Sequence, residues 1–208
     1  MDANIEQRNF WEGDFGDNFV ERMKTEDIAH YKRDTGTTYK EIFYEFFENL
    51  NRDLKIIELG CNIGVNLATL KDMGFTDLHG VEINHKAYEI GKKNNPSINF
   101  INSSIEDFNP NQKYDIVFTA GVLIHINPAI LNSVIEKMVN LSSKYIFGFE
   151  YYSDELVEIP YRSHSQRCWK QNFPLLFKKL FPDLQIVKQK KIPYLNSQLS
   201  DIVYLIEK

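Results

Sequence analysis

The chain has 208 residues, 43% of them hydrophobic, which suits one globular domain with a core of useful size. Its formal net charge of −5 argues against non-specific nucleic-acid binding, which needs a basic field. No stretch approaches the ~20 apolar residues of a membrane span, the acidic, aromatic N-terminus is no signal peptide, and Cys61 and Cys168 read as reduced thiols of a cytosolic protein.

Residues 1–36 are polar with spaced aromatics (Phe10, Trp11, Phe15, Phe19, Tyr31) and read as an arm or lid over the main domain, 37–208. Gly13 and Gly16 are expected to break any long early helix. A helix then starts at Thr38, which with Glu41 fits a capping box. Its apolar stripe, Tyr39, Ile42, Phe43, Phe46, Phe47 and Leu50, belongs to a core.

Residues 55–64 (KIIELGCNIG) order a short β-branched strand, an acid (Glu58), and a turn punctuated by Gly60 and Gly64, with a helical pattern after it. Such a turn lets backbone approach a ligand and aims unpaired N–H groups at it. The G-x-x-x-G spacing alone fits an ordinary strand-to-helix turn equally well. A second strand, 78–84 (LHGVEIN), ends at Glu82, 22 residues beyond Gly60. There α/β nucleotide-binding domains place the acid that holds a ribose diol, about 20 residues after the glycines. Helix 85–93 ends at Asn95-Pro96, a third strand covers 99–101, and a fourth, 114–119 (YDIVFT), runs into Ala120, Gly121 and the segment VLIHI. Asn127 and Pro128 open a further helix, and 145–149 forms a fifth strand. Five alternations of strand and helix predict an open, mostly parallel sheet. Segments 184–190 and 202–206 predict an antiparallel hairpin at its edge.

The turn ELGCNIG, the strand HGVEIN and the order SSIEDF, YDIVFTAGVLIHINP resemble the class I S-adenosylmethionine-dependent methyltransferases, over about residues 50–150. The resemblance implies a Rossmann-like α/β fold with a mostly parallel seven-stranded sheet, an antiparallel C-terminal edge hairpin and helices on both faces. It also implies S-adenosyl-L-methionine as cofactor. Gly60, Asn62 and Gly64 would then admit its methionine portion, beside Glu58. Glu82 would take the ribose, while Ile83, Ser104 and Ile105 would flank adenine. Ala120 and Gly121 would pass under the methionine end, with Trp11 and Arg22 closing a lid. Two positions depart from the family's pattern: Asn62 stands at its usual glycine and Ser104 at its frequent acid. The ends, NFWEGDFGDNFVER and EYYSDELVEIPYRSH…RCWKQNF, resemble the methylases associated with pseudaminic acid biosynthesis, except at Ser163, where glycine is expected, and along 172–180. That narrower likeness implies an anionic nonulosonic sugar or glycan precursor as methyl acceptor.

His125 stands where a general base could deprotonate a hydroxyl or ammonium acceptor, and Glu150 is the alternative base. Tyr151 and Tyr152 follow Glu150, and Tyr161, Arg162, His164, Arg167 and Lys170 concentrate positive charge suited to an anionic small molecule. No constellation for a metal or a covalent nucleophile is evident. Two other readings stay open: a nicotinamide-dependent oxidoreductase, which shares the ribose-binding acid, and a non-catalytic cofactor-binding subunit.

Overall fold

The computed structural model describes residues 3–23 and 27–208, and positions 1–2 and 24–26 of the expected arm lie outside them. Two compact units emerge, one formed by Arg8–Pro110, the other by Asn111–Lys208 with the first residues up to Gln7.

In the first unit three parallel strands, β1 (Ile56–Leu59), β2 (Leu78–Glu82) and β3 (Asn99–Asn102), pair in the order β3-β2-β1. Ile56, Ile57, Leu59 and Val81 are fully buried, as strands covered on both faces require. The early chain forms α1 (Ala3–Glu12), α2 (Asp14–Met23) and α3 (Asp27–Thr35). Gly13 separates the first two as expected, but Gly16 lies inside α2. It is there for space: an added Cβ would stand 1.8 Å from the Trp11 carbonyl oxygen and 2.8 Å from Asn84 Nδ2.

Helix α4 (Tyr39–Phe47) starts at the expected capping box, with the Thr38 hydroxyl accepting from the Glu41 amide and the Glu41 carboxylate accepting from the Thr38 amide. Its stripe buries Ile42, Phe43, Phe46 and Phe47. Helix α5 (Val65–Asp72) follows β1, and α6 (His85–Asn94) follows β2 with Asn84 as its cap, accepting from Ala87 N–H at 2.8 Å.

The second unit holds β4 (Tyr114–Ala120) and β5 (Ser142–Tyr151), parallel and joined through α7 (Pro128–Leu141). As expected, Asn127 caps α7 and Pro128 opens it, where its missing N–H costs nothing. The hairpin β6 (Val157–Glu158) and β7 (Trp169–Lys170) stands apart as a separate two-stranded sheet. Helix α8 (Phe173–Leu180) had no counterpart in the sequence reading, although Asn172 caps it and Pro174 sits in its first turn. Strands β8 (Gln185–Pro193) and β9 (Ser200–Glu207) form the expected antiparallel hairpin, β9 pairing with β5. Lysines 188, 190 and 191 line β8, the usual guard of an edge strand.

Seven strands, mostly parallel with an antiparallel C-terminal hairpin, make up the expected α/β sheet. One expected alternation is missing. Among the described residues no helix stands between β3 and β4; residues 103–113 hold a single turn. The Ser104 hydroxyl accepts from the Asp107 amide, and Asn109-Pro110 prevents the turn from propagating.

The packing at Gly16 carries a test. Glycine to alanine inside an exposed helix normally gains about 1 kcal/mol. Here Gly16→Ala drives its methyl into backbone, and overpacking should cost about 1–3 kcal/mol instead. Urea unfolding of the two proteins decides the sign; a stabilised variant would show that α2 does not lie this close to α1.

Candidate functional site

The first unit brings together the residues expected to bind a nucleotide: the glycine loop after β1 and the acid at the tip of β2. Glu58 is the third residue of β1, a strand buried along its whole length, and is 1% exposed. The Asn66 side-chain amide donates to Oε1 at 2.7 Å, while Oε2 has no hydrogen-bond partner. Burial pushes this carboxyl well above its usual range, and the nearby Glu82 adds to the effect. After β1 the backbone turns left-handed at Gly60 (φ 77°), Asn62 (φ 48°) and Gly64 (φ 80°). Asparagine manages this because its side chain closes the turn itself, Oδ1 accepting from Ile63 N–H at 2.8 Å. The sequence departure at Asn62 therefore leaves the loop intact.

Glu82, at the tip of β2, reaches back to that loop. Its Oε2 accepts from Asn62 N–H at 2.8 Å and its Oε1 from Asn84 N–H at 2.7 Å. Burial raises its pKa, and these two amides oppose the rise. A carboxylate offers about four lone-pair sites, so both oxygens keep room for hydroxyl donors. Ile83 beside it is half-buried, and Ile105 and Ser104 are buried. Because Ser104 Oγ already accepts from Asp107 N–H at 3.0 Å, what it has left to offer a ligand is chiefly its proton.

The N-terminal helices close on this same corner. Asn84 Nδ2 donates to Asp17 Oδ1 at 2.9 Å and to the Trp11 carbonyl at 3.2 Å. Trp11 meets Phe15 and Phe19 edge-on, and the Arg22 guanidinium lies 5.4 and 5.5 Å from those two ring centroids. Asn84 is the residue that the sequence reading passed over here. Its cap was legible from its place before a helical pattern, but its second bond across 67 residues was not.

The remaining expected residues belong to the second unit. Ala120 ends β4, and Gly121 follows with φ 67° and no atom within 4 Å of where a Cβ would lie. The turn Leu123–His125 comes next. Glu150, 1% exposed, sits beneath it: Oε1 accepts from Val122 N–H at 3.2 Å and Oε2 from Ile124 N–H at 3.3 Å. Burial lifts its pKa from 4.5 to about 7 against the pull of these amides and that of Leu123.

His125 is also buried, and burial lowers its pKa to about 4. Its Nδ1 lies 2.7 Å from the Arg167 carbonyl oxygen, which only accepts, so Nδ1 carries the proton and Nε2 the lone pair. The Tyr161 ring stands edge-on at 4.5 Å. His125, Tyr161 and Arg167 thus come together.

The others are placed differently. Arg162 and His164 are exposed on a two-residue turn closed by the paired backbone bonds of Tyr161 and His164. Tyr152 donates its hydroxyl to Asp154 and lies under the Lys191 ammonium at 3.9 Å. Tyr151 packs edge-on against Tyr194, and burial pushes its phenol up. Ser163, where glycine is expected, has φ 70°, a backbone state that glycine adopts without strain.

Residues 56–144 match the family model described as a methyltransferase domain. The ubiquinone biosynthesis O-methyltransferase of Rickettsia bellii (strain OSU 85-389) is 30% identical over 92 residues, 43% of this chain and 36% of that protein. The chain thus spans about a third of the length of the curated relatives it matches. Magnesium protoporphyrin IX methyltransferase from Synechocystis PCC 6803, solved with bound S-adenosylmethionine, superposes with a TM-score of 0.72 over 100% of this chain and 98% of that one, at 14% identity. The 1,6-didemethyltoxoflavin-N1-methyltransferase of Burkholderia thailandensis, solved with 1,6-didemethyltoxoflavin and S-adenosylhomocysteine, gives 0.64 over 94% and 90%, at 15% identity. The fold is the Rossmann-like class I methyltransferase fold.

The raised pKa of Glu150 makes a pH prediction. A carboxyl whose folded pKa exceeds its unfolded value stabilises the protein fully below the unfolded pKa, 4.5, and loses that contribution as pH climbs through about 7. Relative to Glu150→Gln, the wild type should lose up to about 3 kcal/mol of unfolding free energy between about pH 5 and pH 8. His125 acts in the opposite sense, destabilising the fold as pH falls from 6.5 towards about 4, but it is common to both proteins and cancels. Parallel pH profiles for the two proteins would refute the raised value.

Proposed function

We propose that this chain is an S-adenosyl-L-methionine-dependent methyltransferase acting on an oxygen or nitrogen of a small anionic acceptor, of the class of nonulosonic-acid-type sugars or related glycan precursors. The observation that carries the reading is Glu82. Its carboxylate, at the tip of β2, is bonded to the amide of Asn62 in the glycine loop at the tip of β1. That is the arrangement a nucleoside's ribose diol needs, an acid beside backbone that a ligand can approach closely. The methyltransferase-domain match over 56–144 and the shared fold support the same choice.

The residues present suit the cofactor. The partnerless Oε2 of Glu58 is a buried acceptor waiting for a donor such as an ammonium group, and Gly60, Asn62 and Gly64 keep side-chain bulk off the loop. Glu82 takes the ribose hydroxyls, Ile83 and Ile105 the faces of the adenine, and Ser104 an edge of it. Trp11 and Arg22, in the arm of residues 1–36, cover this corner of the domain formed by 37–208. Ala120 and Gly121 accept the methionine end. When bound, the cofactor supplies a methyl group already activated by its sulfonium charge. The protein's own work is to exclude water and align the acceptor, and alignment alone can lower a barrier by ~7–11 kcal/mol.

His125 is the general base. Neutral at pH 7 with its lone pair on Nε2, it takes the proton of an acceptor hydroxyl as that oxygen attacks, or first deprotonates an acceptor ammonium so that the free amine attacks. Glu150, with its carboxylate spent on the amides of residues 122–124, shapes the turn that carries His125. Tyr151, Tyr152, Tyr161, Arg162, His164 and Arg167 recognise the acceptor, the arginines meeting its anionic group. The enzyme works in the cytoplasm, in keeping with its two unbridged, buried thiols, on a small molecule rather than on nucleic acid.

Thermal shift separates this reading from its rivals. S-Adenosylhomocysteine should raise the melting temperature by several degrees and NAD should not; a rise with NAD alone assigns the crevice to a dehydrogenase. Glu82→Ala should weaken S-adenosylhomocysteine binding about 10–100-fold, the worth of a charged hydrogen bond. Labelled methyl transfer to a panel of acidic sugars tests the chemistry. His125→Ala should lower turnover there while leaving cofactor affinity unchanged, and a panel that accepts no label would leave a silent binder.

A further inference from the structure

We propose that Gln7, on the N-terminal helix, is a positioning residue for His125, holding the turn that carries the imidazole through a bond from its side-chain amide. The inference rests on the role given to His125 above and adds a residue that neither motif nor spacing marks.

Gln7 is 5% exposed, and its Nε2 donates to the backbone carbonyl of His125, 118 residues away. Its Oε1 is buried with no hydrogen-bond partner. Packing alone does not account for such a residue, since methionine or leucine would fill the space without stranding a polar oxygen. The donor half of the amide is what the site uses.

The other restraints on His125 lead back to the same helix. The Arg167 carbonyl fixes the ring through Nδ1 at 2.7 Å, and the Arg167 guanidinium lies 3.9 Å from the carboxylate of Glu6, the neighbour of Gln7. Tyr161 closes one side of the ring at 4.5 Å, and Glu150 supports the turn from beneath. The circuit runs from Gln7 to the His125 carbonyl, from the His125 ring to Arg167, and from Arg167 to Glu6. It holds one end of the turn and the ring together, which keeps the lone pair on Nε2. Without Gln7 the turn loosens, Nδ1 drifts from its carbonyl, and both tautomers populate.

The test is nitrogen-15 NMR of the full chain with labelled histidine. Of the five histidines, His125 is identified by the resonance lost in His125→Gln. In the wild type it should be the Nδ1–H tautomer and titrate at about 4. Gln7→Met keeps the volume and removes the donor. It should mix the tautomers, while S-adenosylhomocysteine affinity stays within about twofold. A folded Gln7→Met protein with the wild-type tautomer overturns the proposal. Should that variant not fold, Gln7→Glu, which replaces the donor nitrogen by an acceptor oxygen, carries the same two outcomes. Failure of the wild type to bind S-adenosylhomocysteine is a separate result: it removes the methyltransferase reading, and the positioning role with it.

Discussion

A single buried carboxylate, that of Glu82, organises the unit formed by Arg8–Pro110. Glu82 takes the amide of Asn62 on one oxygen and that of Asn84 on the other, so one side chain fixes the loop after β1 and the start of α6. A carboxylate buried to this degree without such donors would be costly, and without the carboxylate a left-handed Asn62 would lose its partner. The effect spreads through Asn84, whose side chain caps α6 and ties down α1 and α2. The acid, the glycine loop and the early helices are therefore tied together through the side chains of Glu82 and Asn84.

Burial acts on the second unit in two opposite ways. It drives His125 down to about 4 and Glu150 up to about 7, although His125 ends the turn whose amides the Glu150 carboxylate, on β5, accepts. Pairs of titratable groups driven apart in this manner mark divided roles. Glu150 spends its oxygens on three successive amides and is engaged whether or not it is ionised. His125 has Nδ1 committed to a carbonyl and keeps the basic nitrogen on its other edge. Of these two side chains, the glutamate is bonded to the backbone of residues 122 and 124 and the histidine to the carbonyl of Arg167.

Local patterns in the sequence anticipated most of the fold, because local rules produced it. The Thr38–Glu41 capping box, the Asn127-Pro128 start and the glycine turn each depend on residues a few positions apart. Where the reading failed, the determinant was distant or competing. Gly16 sits in a helix because Trp11 and Asn84 leave no room for a methyl group, a fact no helix propensity contains. The missing helix before β4 was forestalled by the Ser104 hydroxyl taking a backbone amide into a single turn. Helix α8 carried legible signals, an asparagine cap and an early proline, in a stretch of chain that resembled no familiar motif. Gln7 and Asn84 matter through bonds spanning 118 and 67 residues, which periodicity cannot convey.

The same fold serves many chemistries, so the case for an anionic acceptor has to come from the side chains. Arg162, Ser163 and Gln166 all hold positive φ, at 47°, 70° and 54°, within five residues of chain. Each such non-glycine residue costs on the order of 1–2 kcal/mol, and glycine would relieve the strain at once. The loop survives because the paired bonds between Tyr161 and His164, and the Glu158 carboxylate on Gln166 N–H at 2.7 Å, hold it from outside. Arg162 is exposed in that loop, its guanidinium 6.0 Å from the Tyr161 ring centroid, so the strain is carried by the hairpin's own backbone bonds.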